Sequence, residues 1–148
     1  MPDPDRWPTA PPPTQLPVTF REGWPGSEAR TCVDVGGRPY VRSGEIVAGD
    51  FRAYVDVWHR RPGSEKLAWF PLHEELLDAR RVPRPPTLLV LGTRLDGSER
   101  FFDEVLIGTM ATSPPQLFFP GFSRLPAPGR WRLVAVSGPD WGCFEFTL

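Results

Sequence analysis

The chain predicts an all-β fold, an antiparallel two-sheet sandwich with one short helix behind a proline-rich N-terminal arm. Three observations carry that expectation: brief runs rich in Val, Leu, Phe and Trp, Gly and Pro clusters between them, and a single segment with helix-end chemistry. A small closed barrel competes with the sandwich, because periodicity alone does not separate them. At 148 residues the chain is long enough for one core. A domain of that size buries roughly 68–70% of its unfolded surface and needs no metal or disulfide to fold.

Proline recurs from Met1 to Gly26, with Pro11, Pro12 and Pro13 consecutive. Proline has no N–H to offer a helix or a central strand, so residues 1–27 read as an extended arm or linker. Its aromatics Trp7, Phe20 and Trp24 are able to fold back on the domain. No basic residue flanks a clean Pro-x-x-Pro core, which favours a spacer over a ligand for a proline-reading groove. Residues 28–148 read as the sandwich.

Thr31 to Val35 reads as the first strand, ended by Gly36 and Gly37. Phe51 to Trp58 reads as a second, with Phe51, Ala53, Val55 and Val57 on one face and Trp58 on the other. Arg61-Pro62-Gly63-Ser64 is turn chemistry before a short strand, Leu67 to Phe70. Pro71 to Arg81 begins with Pro, carries acids early and arginines late, and reads as a two-turn helix stopped by Pro83. Thr87 to Leu95 and Arg100 to Ile107 read as a hairpin around Asp96-Gly97. Gln116 to Phe119, Trp131 to Val136 and Phe144 to Leu148 complete the set, the last two joined by Ser137-Gly138-Pro139-Asp140.

The closing segment is the most diagnostic. Leu125, Pro126, Pro128, Gly129 and Trp131 form a Pro-Gly corner leading into Trp131, Leu133 and Ala135, and Phe144, Phe146 and Leu148 share one face of the last strand. This resembles the final hairpin of immunoglobulin-like (Ig-like) sandwiches in uncharacterised domains of exported bacterial proteins and lipoproteins. The resemblance covers about the last two-thirds of the chain and is specific in that hairpin. It implies an Ig-like sandwich of bacterial origin. Those relatives carry an export signal, and some place Cys where Arg130 stands.

Composition excludes several functions. Basic and acidic residues balance at 17 and 18, against a general nucleic-acid binder. No apolar run reaches the ~20 residues of a membrane span, and the first thirty residues lack a signal-peptide pattern. The expected location is cytoplasmic if Met1 is the true start, and envelope or extracellular if a signal lies upstream.

Cys32 and Cys143, the two cysteines, read either as a disulfide or as two buried thiols. His73-Glu74 starts like His-Glu-x-x-His, but Leu77 stands at the fifth position. A metal site from His59, His73 and Glu74 needs strand end and helix to meet, and the plainer reading is two surface imidazoles. Asp103 and Glu104 point to opposite faces of a strand and cannot share one task. No nucleophile elbow or phosphate loop is present. The expectation is therefore a non-enzymatic binding or accessory module without cofactor or metal, with Trp58, Phe118, Phe119 and Phe122 as the exposed binding aromatics. Its partner, protein or small ligand, and its oligomeric state are not specified by the sequence. The alternatives are a proteinase inhibitor presenting the loop Ser113 to Pro120 and a small metal-assisted enzyme.

Overall fold

The computed structural model describes residues 32–78, 80, 82–83, 85–110, 116–121 and 123–148. Among these residues ten strands form two five-stranded sheets. In chain order these are β1 (Val33–Asp34), β2 (Val41–Ser43), β3 (Ile46–Gly49), helix α1 (Phe51–Arg60), β4 (Leu67–Pro71), a 3-10 turn (Glu74–Leu77), β5 (Leu88–Arg94), β6 (Arg100–Val105), β7 (Gly108–Met110), β8 (Gln116–Gly121), β9 (Arg130–Ser137) and β10 (Asp140–Thr147). Sheet A runs β1-β10-β9-β5-β6 and sheet B runs β2-β3-β4-β8-β7. All pairings are antiparallel except β1 with β10, which is parallel.

Alternation along the strands supplies the two inner faces. Leu88, Val90, Leu133, Ala135, Phe144 and Phe146 of sheet A meet Ile46, Ala48, Leu67, Trp69 and Phe119 of sheet B in one buried core. Trp131 lies in the same core, and its indole N–H donates to the Ala127 carbonyl at 2.9 Å.

The expected strand Phe51 to Trp58 is instead α1. Phe51, Tyr54, Val55 and Trp58 fall at i, i+3, i+4 and i+7, one helical stripe, and Asp50 caps the start by accepting the Ala53 N–H at 3.1 Å. That stripe packs into the core, where the Phe51 ring lies 5.7 Å from Phe144 and 5.3 Å from Phe146. The expected helix Pro71 to Arg81 reduces to the 3-10 turn Glu74–Leu77, because Pro71 closes β4 and Asp78 is already extended.

β2, β3 and β7 went unread in the sequence. β2 and β3 form a hairpin over Gly44-Glu45, with Gly44 at φ 55. A side chain at Gly44 would collide with the Trp141 carbonyl, so the close approach requires glycine there. The β5–β6 connection is wider than an Asp-Gly turn: Arg94 takes its N–H to the Glu99 carbonyl at 3.0 Å and its guanidinium to both Asp96 and Glu99. β9 and β10 do meet in a two-residue turn, with Ser137 paired to Asp140 and Gly138 at φ 56.

A seam of polar contacts closes the start of β10, where β1 does not reach. The Cys143 N–H donates to Ser43 Oγ at 2.9 Å, Glu45 and Trp141 exchange two hydrogen bonds at 3.1 Å, and Asp140 receives His73. The Cys32–Cys143 disulfide is formed, across a Cα–Cα distance of 4.6 Å.

Candidate functional site

Two places gather polar chemistry. The first is a groove of about 560 Å³ between α1, the turn after β1 and the end of β10. Val35, Phe51 and Phe146 form its buried floor, and half-buried Val55 extends it along α1. A volume of that order suits a small ligand.

The rim is cationic. Arg38, Arg52 and Arg130 stand around it, with Asp34, Asp56 and His59. Asp34 is committed on both oxygens, one accepting the Gly36 N–H at 2.9 Å and the other Arg130 at 3.0 Å. Asp56 is paired along the helix with Arg60. Arg38 instead donates to two neutral carbonyls, Val35 at 3.0 Å and Asp34 at 2.6 Å, and makes no ion pair among the described residues. Exposed Arg52 makes no ion pair among the described residues. The groove thus joins apolar depth to a rim of three arginines against two carboxylates.

The second place is His73 with Asp140. Asp140 is 1% exposed, yet its carboxylate takes the His73 backbone N–H at 3.0 Å and the imidazole Nδ1. That hydrogen bond, then the Asp140 charge, pushes the imidazole pKa up from its ordinary value, and Glu75 and Glu45 add to the effect. A raised folded-state value means the dyad's stabilisation is complete below the unfolded pKa of about 6.5. It is lost as pH rises through the folded value. The melting temperature of wild type minus that of His73→Gln should therefore be positive below pH 6.5 and shrink on the alkaline side. A difference that grows with pH would contradict the dyad.

Of the aromatic residues expected at the surface, the three that lie among the described residues are buried or half-buried. Phe119 is fully buried in the core, which corrects its expected exposure: it lies on the inward face of β8, against Trp69's strand. Trp58 is half-buried on α1, with its indole N–H on the Leu125 carbonyl at 3.0 Å and its ring edge-on to His59. Phe118 is half-buried and stacks on Phe70 at 5.6 Å. Phe122 lies outside the described residues. Among those described, no Trp or Phe is exposed, and Tyr54, Trp58 and Trp131 all turn their polar atoms onto the 123–127 segment.

No family model, no curated protein and no solved structure matches the chain.

His59, His73 and Glu74 are employed separately: His59 on the groove rim, His73 on Asp140, and Glu74 accepting the Leu117 N–H at 3.0 Å. Among the described residues no group of three His, Cys, Asp or Glu is placed to hold a metal ion. The loop expected for proteinase inhibition is a strand from Gln116 onward, paired with β4 and β7, and residues 113–115 lie outside the described set. No described helix is long and apolar enough to cross a membrane. Sequence reading missed the groove because it placed α1 as a strand; the signal was the helical spacing of Phe51, Tyr54, Val55 and Trp58 after Asp50.

Proposed function

We propose that the protein is a non-enzymatic binding module of Ig-like architecture and that the groove beside α1 seats its ligand, an amphipathic anion with an apolar body and one carboxylate or similar group. The observation that carries this reading is the apolar floor of Phe51, Val55 and Phe146 under Arg52, a guanidinium with no ion pair among the described residues. Arginine matches a carboxylate with a planar fork of donors, and in a partly apolar setting that pairing gives orientation as well as affinity. The apolar body would supply most of the binding energy, about 25 cal/mol for each Å² it buries.

The order of sheet A supports the Ig-like reading. Its β10-β9-β5-β6 run is compatible with the G-F-C-C′ order of variable-type Ig domains, and β4, β8 and β7 with B, E and D. In that correspondence β2 and β3 form a hairpin added on the far side of B. The disulfide favours an oxidising compartment, and with the resemblance of the closing hairpin it supports a place at the bacterial envelope or outside the cell.

Titration calorimetry with 2-naphthoate and its neutral amide tests the ligand class. Naphthoate should bind more tightly than the amide, and Arg52→Ala should weaken naphthoate about tenfold while leaving the amide unchanged, the loss expected for one charge-assisted hydrogen bond. Equal binding of acid and amide, or an Arg52→Ala variant that binds naphthoate as wild type does, would refute the reading.

A further inference from the structure

One wall of the groove beside α1 is a strap, residues 32–39, that runs from β10 to the start of the helix. Five of its residues, Asp34, Val35, Gly36, Gly37 and Arg38, line the groove. Its two ends are held differently. At the first, Cys32 is bonded to Cys143 of β10. At the second, the Pro39 carbonyl accepts the Phe51 N–H at 2.7 Å, at the head of α1. Those two elements also supply the floor, Phe146 from β10 and Phe51 and Val55 from α1. The strap therefore joins both sides of the site it walls.

Apart from the disulfide, the first half of the strap makes few contacts among the described residues. β1 is two residues long and stands last in the described order of sheet A, where Val33 and Asp34 pair with Phe144 and Glu145. The Val35 N–H donates to the Glu145 carbonyl at 2.8 Å, and Asp34 meets Arg130 at 3.0 Å in an exposed ion pair. Val35 adds a buried side chain and Val33 a half-buried one. Each backbone bond has a modest net value, and an exposed ion pair has less. Against them stands the entropy of ordering the chain, which is greatest at glycine. Gly36 and Gly37 follow at φ 58 and 74, a conformation that only glycine adopts freely. The covalent bond keeps the strap beside β10 whether or not those contacts are made. Without it, order in the strap rests on them alone.

We propose that the Cys32–Cys143 disulfide is a redox control on the groove: ligand binds while the bond is intact and is released when a dithiol reduces it. This control presupposes that the groove is the ligand site. A thiolate of the dithiol attacks one sulfur of the bond, giving a mixed disulfide, and its second thiol displaces that link. The S–S bond breaks, and the two cysteines become thiols by gaining two electrons and two protons. The dithiol is oxidised to its own disulfide. The strap then exchanges between ordered and released forms, and only the ordered form presents the wall with Val35 and Arg38. Affinity falls by the fraction of time the strap is ordered, so a strap ordered about one tenth of the time binds about tenfold more weakly. The coupling is reciprocal: bound ligand favours the disulfide over two thiols by the same factor.

An NMR titration of 2-naphthoate into the full-length, isotope-labelled protein, with and without dithiothreitol, tests it. The oxidised protein should bind, and the reduced protein should bind about tenfold more weakly. On reduction, heteronuclear NOE values should fall for residues 33–38 and hold steady in α1 and β5. At a fixed ratio of reduced to oxidised dithiothreitol, saturating naphthoate should raise the ratio of disulfide to dithiol protein by the same factor. Equal affinity in the two forms overturns the redox control and leaves the groove as the ligand site, as does a bond that survives excess dithiothreitol. An oxidised protein that does not bind naphthoate removes both. Loss of signal dispersion throughout the reduced protein would show the bond holding the whole fold rather than the strap, and would also overturn the proposal. The double variant Cys32→Ala and Cys143→Ala, titrated without dithiol, should match the reduced protein, and wild-type affinity in that variant would count against the control in the same way.

Discussion

Phe144→Ala is expected to destabilise the protein by about 3–5 kcal/mol, the cost of removing a large ring from a packed interior. Phe144 is 0% exposed on β10 and sits where three elements meet. Its ring centre lies 5.7 Å from Phe51 on α1 and 5.7 Å from Trp69 on β4. Truncation opens a cavity in a close-packed interior, between the rings of Phe51, Phe146 and Trp69. Urea denaturation should show a lower midpoint with an unchanged slope. Phe118→Ala, by contrast, removes a half-buried ring stacked on Phe70 and should cost about 1–2 kcal/mol. If the two variants were equally stable, Phe144 would not be the junction described.

Removing the disulfide should have an effect of the same order. Cys32 and Cys143 are 111 residues apart in sequence, so the bond closes nearly the whole described chain. In the chain-entropy treatment, a loop of that size stabilises the fold by roughly 4–5 kcal/mol. The double variant Cys32→Ala and Cys143→Ala should lower the melting temperature by about 10–20 °C. Alanine is the appropriate replacement at Cys143, which is fully buried, because serine would place a hydroxyl among Val134, Val136 and Trp141. The bond also secures β1, whose two residues pair with Phe144 and Glu145 alone. Its loss should therefore release the turn that walls one side of the groove. A double variant melting within a few degrees of wild type would show that the pairing with β10 suffices without the bond.

The sequence was legible where one physical rule dominated. β5, β6, β8, β9 and β10 carry Val, Leu, Phe or Trp in runs bounded by Gly and Pro, and the expected segments overlap the observed strands within a few residues. The Gly138-Pro139 turn was legible for the same reason. Phe51 to Trp58 was not, because its residues satisfy two periods at once. Alternation places Phe51, Ala53, Val55 and Val57 together, and helical spacing places Phe51, Tyr54, Val55 and Trp58 together. The Asp50 cap and the floor offered by Phe146 and Leu125 decide for the helix. Pro71 to Arg81 failed in the opposite way. Its charges suit a helix end, but β4 runs through Pro71 to pair with Ile46, and too few residues remain for a stable α-helix.

The polar site was less legible still. Asp140 reads as a turn residue, and nothing near it in sequence names His73, which lies 67 positions away. The same is true of the groove. Its lining draws on α1, β10, β9 and the turn after β1, so only the folded arrangement brings Arg52 beside Phe146. The aromatic residues misled for a related reason. Trp and Phe are abundant in the chain, but helix α1 and the 123–127 segment add interior that a plain two-sheet stack does not have.

Chemical-shift mapping of 2-naphthoate on the isotope-labelled protein tests the central claim most directly. The account predicts saturable shifts at Val35, Val55, Phe146 and the Arg52 side chain, with the His73 ring and the Phe70–Phe118 pair unmoved. Shifts gathered around His73 and Asp140, or around Phe118, would place binding elsewhere and contradict it, as would a flat response at millimolar ligand.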